Sequence, residues 1–251
     1  MISYNRDKLT DLDFKLLSNL YEEEELKKVL RKIEDEDYPP QYAIGNVIFI
    51  DRLIKVDERV LIPRFETELL AVKLVDYIKK LGLERAKLTD LCTGSGCIAI
   101  YVASKISTLK VYAIDKSRDA LDVARENAKE NGVDVQFSCI DVLENFEKIS
   151  KSEVLVANPP YVKLDEVVSA NTKYEPAMAL YPGEDDLIFY KTILKETSKS
   201  WKDLKLIAFE IGSTQGEKVK SLSKKYFPSA NVTIFKDYGG YDRHVFIQIA
   251  E

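Results

Sequence analysis

The sequence is poor in the residues from which metal sites and disulfide frameworks are built. It holds one histidine, His244, and three cysteines, Cys92, Cys97 and Cys139, none of which forms a CxxC pair. Structural zinc sites need several such ligands at close spacing, so we expect no metal. An α/β chain of 251 residues has core enough without cross-links, so we also expect no disulfide scaffold. Acid–base catalysis by histidine would depend on His244 alone.

Long apolar runs are absent as well. No stretch approaches the roughly 20 apolar residues that a membrane span needs. Residues 1–15 lack the apolar centre of a signal peptide. We therefore expect a cytoplasmic protein that does not associate with membranes.

The sequence also lacks an excess of positive charge. The net charge is −5, and residues 1–58 account for it with 9 Lys or Arg against 14 Asp or Glu, since residues 59–251 hold 28 of each. Proteins that bind nucleic acids normally present a basic surface, so nucleic acid is a disfavoured partner.

Two short helical patterns open the chain. Apolar side chains recur at helical spacing in residues 11–20 and again in residues 22–34, and Tyr38-Pro39-Pro40 ends the second pattern. The apolar, β-branched stretch that follows predicts a hairpin. The predicted domains are therefore a helical module (1–40), a linking β-hairpin (41–62) and a main domain (63–251).

Strand and helix patterns alternate in the main domain, beginning with an amphipathic helix at 66–80. The seven strand patterns lie at 86–92, 110–115, 134–139, 153–158, 205–211, 231–237 and 243–250. The last two are joined by the short turn YGGYD and must pair antiparallel. The predicted fold class is α/β, with a Rossmann-like, mostly parallel seven-stranded sheet that ends in an antiparallel hairpin.

A glycine-containing segment, DLCTGSGCIA at 90–99, joins the first strand of this sheet to the next helix. Gly94 and Gly96 can adopt backbone angles that other residues avoid, and the helix N-terminus presents free N–H groups. Asp115 ends the next strand, 21 positions after Gly94, where a carboxylate can accept hydrogen bonds from both hydroxyls of a ribose. The segment predicts a ribose-containing ligand, and a purely structural turn is the alternative.

These glycines also satisfy the dinucleotide fingerprint, so an NAD-dependent enzyme is a further alternative. Two features argue against it. The sheet ends in an antiparallel hairpin instead of a second mononucleotide-binding half. The motif Asn158-Pro159-Pro160-Tyr161 also follows the strand at 153–157, where a dehydrogenase has no use for it.

The Asn158-Pro159-Pro160-Tyr161 motif offers two carbonyl acceptors to one NH2 group. The Asn158 side chain brings one carbonyl and the Pro159 main chain the other, while Pro160 removes an N–H and Tyr161 adds a flat ring. An amide nitrogen is a poor nucleophile because it shares its lone pair with its carbonyl. Two acceptors would hold it in line with a methyl donor and stabilise the developing charge, at about 1.5–3 kcal/mol for each bond. A proline-rich turn is the alternative.

Together these motifs resemble the release factor glutamine methyltransferases (HemK/PrmC type), from about residue 39 to the C-terminus. The resemblance implies a class I S-adenosylmethionine-dependent methyltransferase that methylates N5 of the glutamine in the Gly-Gly-Gln loop of peptide chain release factors. The matching segments are PPQYAIG (39–45), LIPRFETE (61–68), DLCTGSG (90–96), IDV (140–142), NPPYV (158–162), YEPAMAL (174–180), FEIGSTQGE (209–217) and GYDRHV (240–245).

The resemblance also implies roles for individual positions. The implied cofactor-binding residues are Thr67, Asp90, Cys92, Thr93, Gly94, Ser95, Gly96, Asp115, Asp141, Val142 and Asn158. The implied substrate-binding residues are Asn158, Pro159, Pro160 and Tyr161, of which Asn158, Pro159 and Tyr161 are expected to act in catalysis. S-adenosylmethionine is the expected cofactor, S-adenosylhomocysteine its product, and a release factor the expected partner, with no obligate partner subunit.

The chain departs from the family pattern at a few positions. Cys92 replaces the first glycine of the cofactor loop, so we expect that this position does not require a positive φ. Phe65 replaces a proline and Asp186 replaces a glycine. The helical module is also shorter than in the family, which bears on how a substrate docks.

Two other functions would use the same fold. An N6-adenine nucleic-acid methyltransferase would need a basic target-recognition domain and a pocket for a flipped base, whereas the one added module here is acidic. A non-catalytic module that binds S-adenosylmethionine would be expected to lose Asn158-Pro159-Pro160-Tyr161 or Asp115, and both are intact. The acidic run Glu22–Glu25 is interpreted as a solvated helix start, and the alternative hypothesis is contact with a basic surface of a protein substrate.

Overall fold

The computed structural model describes residues 4–250, and its helices and strands are numbered here along the chain. The helices are α1 (Asp11–Leu20), α2 (Glu23–Glu36), α3 (Pro40–Ile44), α4 (Phe65–Lys80), α5 (Cys97–Lys105), α6 (Arg118–Glu130), α7 (Ala177–Leu180), α8 (Ile188–Ser200) and α9 (Gly216–Tyr226). The strands are β1 (Asn46–Phe49), β2 (Arg52–Lys55), β3 (Lys87–Leu91), β4 (Lys110–Asp115), β5 (Val135–Cys139), β6 (Val154–Ala157), β7 (Leu206–Glu210), β8 (Asn231–Lys236) and β9 (Asp242–Gln248).

Seven strands form one sheet in the order β5-β4-β3-β6-β7-β9-β8. Strands β3 to β7 run parallel to one another, and β9 pairs antiparallel with both β7 and β8. The sheet confirms the predicted fold class, including the antiparallel hairpin at its end.

Hydrophobic clusters cover both faces of this sheet. Along β6, Val154 and Val156 belong to the cluster that α4, α5 and α6 complete, whereas Leu155 and Ala157 belong to the cluster that α8 completes. This alternation follows from the two-residue period of a strand, and it explains why β6 is apolar at every position.

The N-terminal helices have a smaller cluster of their own. Thr10 caps α1: its hydroxyl accepts from the N–H of Asp13, whose carboxylate in turn accepts from the Thr10 N–H. The Tyr174 hydroxyl donates to the Glu36 carbonyl at 3.0 Å, and the ring of Tyr38 stands edge-on to that of Tyr174. The buried apolar residues of this cluster are Leu9, Leu17, Leu26, Leu30, Ile33, Ala43 and Ile44.

The segment predicted as one long hairpin differs in the structure. It starts with the helix α3, and the β1–β2 hairpin occupies Asn46–Lys55 alone. Pro40 stands at the first turn of α3, where its missing N–H leaves no acceptor unsatisfied, and Gly45 ends the helix with a φ of 84°. These end signals outweigh the β-branched composition of the segment.

The strand order places a crevice at the carboxyl ends of the central strands. β3 lies between β4 and β6, so the chain builds one side of the sheet first and then crosses to the other. Ligands in open α/β sheets bind at such a reversal. The glycine-containing segment, Asp115 and Asn158 all lie at strand ends beside it.

Within residues 4–250, none of the helices combines the length and the apolar character that crossing a bilayer requires.

Candidate active site

The loop after β3 bends sharply at three positions. Cys92, Gly94 and Gly96 have φ values of 58°, 54° and 81°. The expectation that Cys92 needs no positive φ is therefore wrong: the turn from strand to helix demands the left-handed conformation whichever residue occupies the position. A non-glycine residue adopts this conformation at a cost of about 1–2 kcal/mol.

Asp115 holds this loop in place from the end of β4. One carboxylate oxygen accepts from the Gly94 N–H at 2.9 Å, and the other accepts from the Ser117 N–H at 2.9 Å. Burial raises the pKa of Asp115, and hydrogen bonds from the backbone N–H groups of Ser117, Gly94 and Lys116 oppose that shift. A carboxylate has about four lone-pair sites, so Asp115 can still accept hydrogen bonds from a ligand.

An open cleft of about 870 Å³ lies over this loop. The predicted site residues that line it are Thr67, Cys92, Thr93, Gly94, Ser95, Asp115, Asp141, Val142, Asn158 and Pro160. Asp90, Gly96, Pro159 and Tyr161 lie outside this lining. The structure thus brings the predicted cofactor loop and Asn158 to one cleft.

Three of the four residues outside the lining stand next to residues that form it. Asp90 is buried and accepts from the Thr93 hydroxyl at 2.6 Å, and burial raises its pKa to about 7. Gly96 starts α5 and packs against Ala124, which a Cβ at Gly96 would meet at 3.1 Å. Pro159 is buried beside Asn158.

The side chain of Asn158 belongs to a chain of hydrogen bonds that leads away from the cleft. Its Nδ2 donates to the Thr67 hydroxyl at 3.2 Å, and that hydroxyl donates to Glu210 Oε2 at 2.7 Å. The Tyr161 hydroxyl donates to Glu210 Oε1 at 3.2 Å. Tyr161 therefore turns its hydroxyl toward Glu210.

Glu210 was not predicted as a site residue. It ends β7 with 1% of its surface exposed, and burial raises its pKa to about 7 against the opposing hydrogen bonds from Thr67 and Tyr161. A sequence signal did exist, because β7 reads LIAFE and places a carboxylate at the end of an otherwise apolar, buried strand. Such a carboxylate needs polar partners, and the pattern of the strand does not identify them.

A partly buried ion pair joins two segments at the rim of the cleft. Arg64 Nη2 lies 2.5 Å from Glu175 Oε1, and the Glu175 side chain is fully buried. Pro176, Met178 and Ala179, which follow Glu175, line the cleft. Sequence reasoning matched the segments 61–68 and 174–180 to the family and assigned no role to this pair.

Metal ligands do not cluster in the part of the chain that the structure describes: between residues 4 and 250, no group of three or more His, Cys, Asp or Glu side chains is placed to hold an ion.

The sequence is similar to a family of known proteins. Residues 66–174 match the model of the methyltransferase small domain. The chain is 39% identical to the release factor glutamine methyltransferase of Bacillus cereus, over 93% of this chain and 86% of that protein. It is 39% identical to the protein of the same name from Bacillus subtilis, over 92% of this chain and 84% of that protein. The chain belongs to the release factor glutamine methyltransferase family.

Solved structures agree with the fold of this family member. A human methyltransferase 10 domain containing protein aligns with a TM-score of 0.55 at 15% identity, over 87% of this chain and 92% of that chain. A methyltransferase from Pyrococcus furiosus aligns with a TM-score of 0.55 at 16% identity, over 79% of this chain and 89% of that chain. At these identities the likeness shows the fold alone.

The structure shows the environments of Phe65 and Asp186, two of the positions at which the chain is expected to depart from the family pattern. Phe65 is 78% exposed at the start of α4, so its ring replaces a proline without entering the core. The Gln215 amide donates to the main-chain and side-chain oxygens of Asp186 at 3.1 and 3.2 Å.

Proposed function

We propose that this enzyme transfers the methyl group of S-adenosylmethionine to N5 of the glutamine in the Gly-Gly-Gln loop of peptide chain release factors. The observation that carries the proposal is the position of Asn158 on the wall of the cleft that the Gly94 loop and Asp115 also line. The names of the relatives support the substrate class.

The cleft suits S-adenosylmethionine. Asp115 has free lone pairs for the ribose hydroxyls, and the Gly94 loop presents main-chain groups near the N-terminus of α5 for the charged end of the molecule. Val142 and Phe189 add apolar surface to the lining, and Asp141 adds an acceptor beside it. When bound, S-adenosylmethionine supplies an electrophilic methyl group on a sulfonium.

The residues of this chain would then hold the substrate amide. The Asn158 Oδ1 and the Pro159 carbonyl have no hydrogen-bond donor within residues 4–250, so both can accept from the two hydrogens of a glutamine amide. These bonds orient the nitrogen and stabilise the positive charge that develops on it. The nitrogen then releases a proton and becomes a neutral secondary amide.

The test is direct. The purified chain is incubated with S-adenosylmethionine and a full-length release factor, and added methyl groups are mapped by peptide mass spectrometry. We expect one methyl group on the glutamine of the Gly-Gly-Gln loop, and a strongly reduced rate of its addition after Asn158→Ala. Methylated adenine in a parallel DNA or RNA reaction, with an unmodified glutamine, would replace this proposal with the nucleic-acid activity.

We also propose that the acidic start of α2 helps to dock a release factor. Glu22–Glu25 are exposed, and Glu23 and Glu24 pair with Lys27, which neutralises part of their charge. Changing all four to glutamine should raise the KM for the release factor by about two- to fivefold at low salt and by less at high salt. An unchanged KM at low salt would exclude this contact.

A further inference from the structure

Glu210 contacts the candidate site and has no part in the proposed reaction. Its carboxylate touches two residues from different segments, Thr67 on α4 and Tyr161 after β6. Among the buried carboxyl groups of residues 4–250, only that of Glu210 contacts Thr67, the residue that accepts a hydrogen bond from Asn158. Its position raises the question of what it does to Asn158.

The direction of the hydrogen bonds determines how Glu210 acts on Asn158. An ionised carboxylate has no proton to give, so Thr67 must donate its single proton to Glu210. The Thr67 oxygen can then act only as an acceptor toward Asn158, which must present its NH2 group. The amide oxygen of Asn158 consequently points away from Thr67 and stays free.

Resting on the proposed function, we propose that Glu210 is a positioning residue: through Thr67 it fixes which end of the Asn158 amide is turned to the substrate. An amide placed the other way would present an NH2 group to the NH2 group of the substrate glutamine, and the two donors would repel. A protonated Glu210 can donate to Thr67, which frees the Thr67 proton for the Asn158 oxygen and allows this reversal.

The surroundings of Glu210 determine where this proton is taken up. The titratable groups that face it from the neighbouring elements are Glu66, Cys97, Tyr161, Tyr190, Arg243 and His244. Arg243 favours the ionised form and Glu66 opposes it, while burial lowers the pKa of His244 to about 4 and keeps it neutral. With these groups in place the pKa of Glu210 is about 7.

The two consequences of this pKa have opposite signs. Activity should fall as the pH drops through about 7, because the protonated form releases the orientation of Asn158. Folding stability should move the other way. The folded pKa is above the ordinary value of 4.5, so the folded chain binds the proton more tightly, and this group loses its stabilising contribution as the pH rises through about 7. Protonation of Glu210 favours the folded chain, so unfolding caused by that protonation cannot account for the loss of activity at low pH.

The experiment compares pH profiles of kcat/KM for a release factor between about pH 6 and about pH 8.5. The wild-type chain should lose close to tenfold per pH unit below the pKa. Glu210→Gln cannot titrate and should show no such decline. The matched control is Glu66→Gln, which removes a neighbouring carboxylate and keeps the hydrogen bond between Thr67 and Glu210. It should keep the decline but move it to lower pH, because Glu66 then no longer opposes the ionised form of Glu210. A decline that persists in Glu210→Gln would overturn the proposal.

A second pair of variants tests the route through Thr67 and covers a Glu210→Gln chain that fails to fold. Thr67→Val should lower kcat by about tenfold at high pH and should remove the loss of kcat/KM at low pH. Thr67→Ser keeps the hydroxyl and should behave like the wild-type chain in both respects. A Thr67→Val chain that keeps the decline would show that Glu210 does not act through Thr67.

The two proposals can fail separately. A wild-type chain that methylates the release factor glutamine without any decline would leave the function standing and overturn the role of Glu210. A wild-type chain that methylates nothing would overturn the function. In that case a carbon-13 titration of the Glu210 carboxyl, assigned with Glu210→Gln and repeated in Thr67→Val, decides whether the two residues are coupled: an unchanged titration in Thr67→Val would overturn the coupling.

Discussion

The two ends of the cleft are built in different ways. At the cofactor end, the loop 92–96 lies against the carboxylate of Asp115, to which the main-chain N–H groups of Gly94 and Ser117 donate. At the amide end, the side chains of Asn158, Thr67 and Glu210 come from three segments, and their hydrogen bonds span 91 and 143 positions of the chain.

This difference shows two ways of fixing polar groups. The cofactor loop is constrained by φ values that few residues tolerate, so a short sequence specifies its shape. At the amide end, Thr67, Asn158 and Glu210 have no positive φ. Their arrangement depends on which side chain donates each hydrogen bond and which accepts it. We therefore expect substitutions at the cofactor end to affect cofactor affinity and stability, and substitutions at the amide end to affect turnover.

The largest effect should come from Asn158→Ala. It removes a proposed acceptor for the charged nitrogen and should lower kcat by about 100- to 1000-fold, while the Kd for S-adenosylmethionine changes by less than about threefold. Steady-state kinetics and isothermal titration calorimetry measure the two quantities. Asn231→Ala, an exposed asparagine on the edge strand β8, is the control. A kcat that stays within about tenfold of wild type would contradict the role of Asn158.

Asp115→Asn should show the opposite pattern. It removes a charged acceptor and should raise the Kd for S-adenosylmethionine by about 10- to 100-fold, with a smaller change in kcat at saturating cofactor. Asp119→Asn, an exposed neighbour on the first turn of α6, should leave the affinity unchanged. Equal losses in kcat and in affinity for both Asn158→Ala and Asp115→Asn would remove the distinction between the two ends.

Alanine at the loop glycines should lower stability instead of turnover, and the two losses should be unequal. At Gly96 the φ of 81° strains an alanine and its Cβ would meet the Cβ of Ala124 at 3.1 Å. At Gly94 the φ of 54° is strained as well, but nothing lies within 4 Å of the added Cβ. We expect losses in the free energy of unfolding of about 2–3 kcal/mol and about 1 kcal/mol respectively, measured by denaturant titration. Equal losses of unfolding free energy for the two variants would show that the contact between the added Cβ at Gly96 and Ala124 costs nothing.

Much of the fold could be predicted because it depends on local periodicity. Alternation of apolar strands and amphipathic helices indicated the seven-stranded sheet, and the short YGGYD turn indicated its antiparallel end. Two features were not predicted. The helix α3 lies in a segment whose β-branched composition predicts a strand and obscures the end signals of Pro40 and Gly45. Cys92 was expected to have an ordinary backbone, whereas the turn imposes a left-handed conformation on it.

The sequence by itself determined the order of the strands along the chain, the glycine-containing loop and the position of Asn158-Pro159-Pro160-Tyr161 after a buried strand. These features are local, since they depend on neighbouring residues and on short-range backbone constraints. Only the tertiary structure decided that Glu210 meets Thr67 and Tyr161, and that Asp90 and Tyr161 lie outside the lining of the cleft. Parallel strands bring distant segments to one edge of a sheet, and no pattern within a segment encodes which side chains meet there.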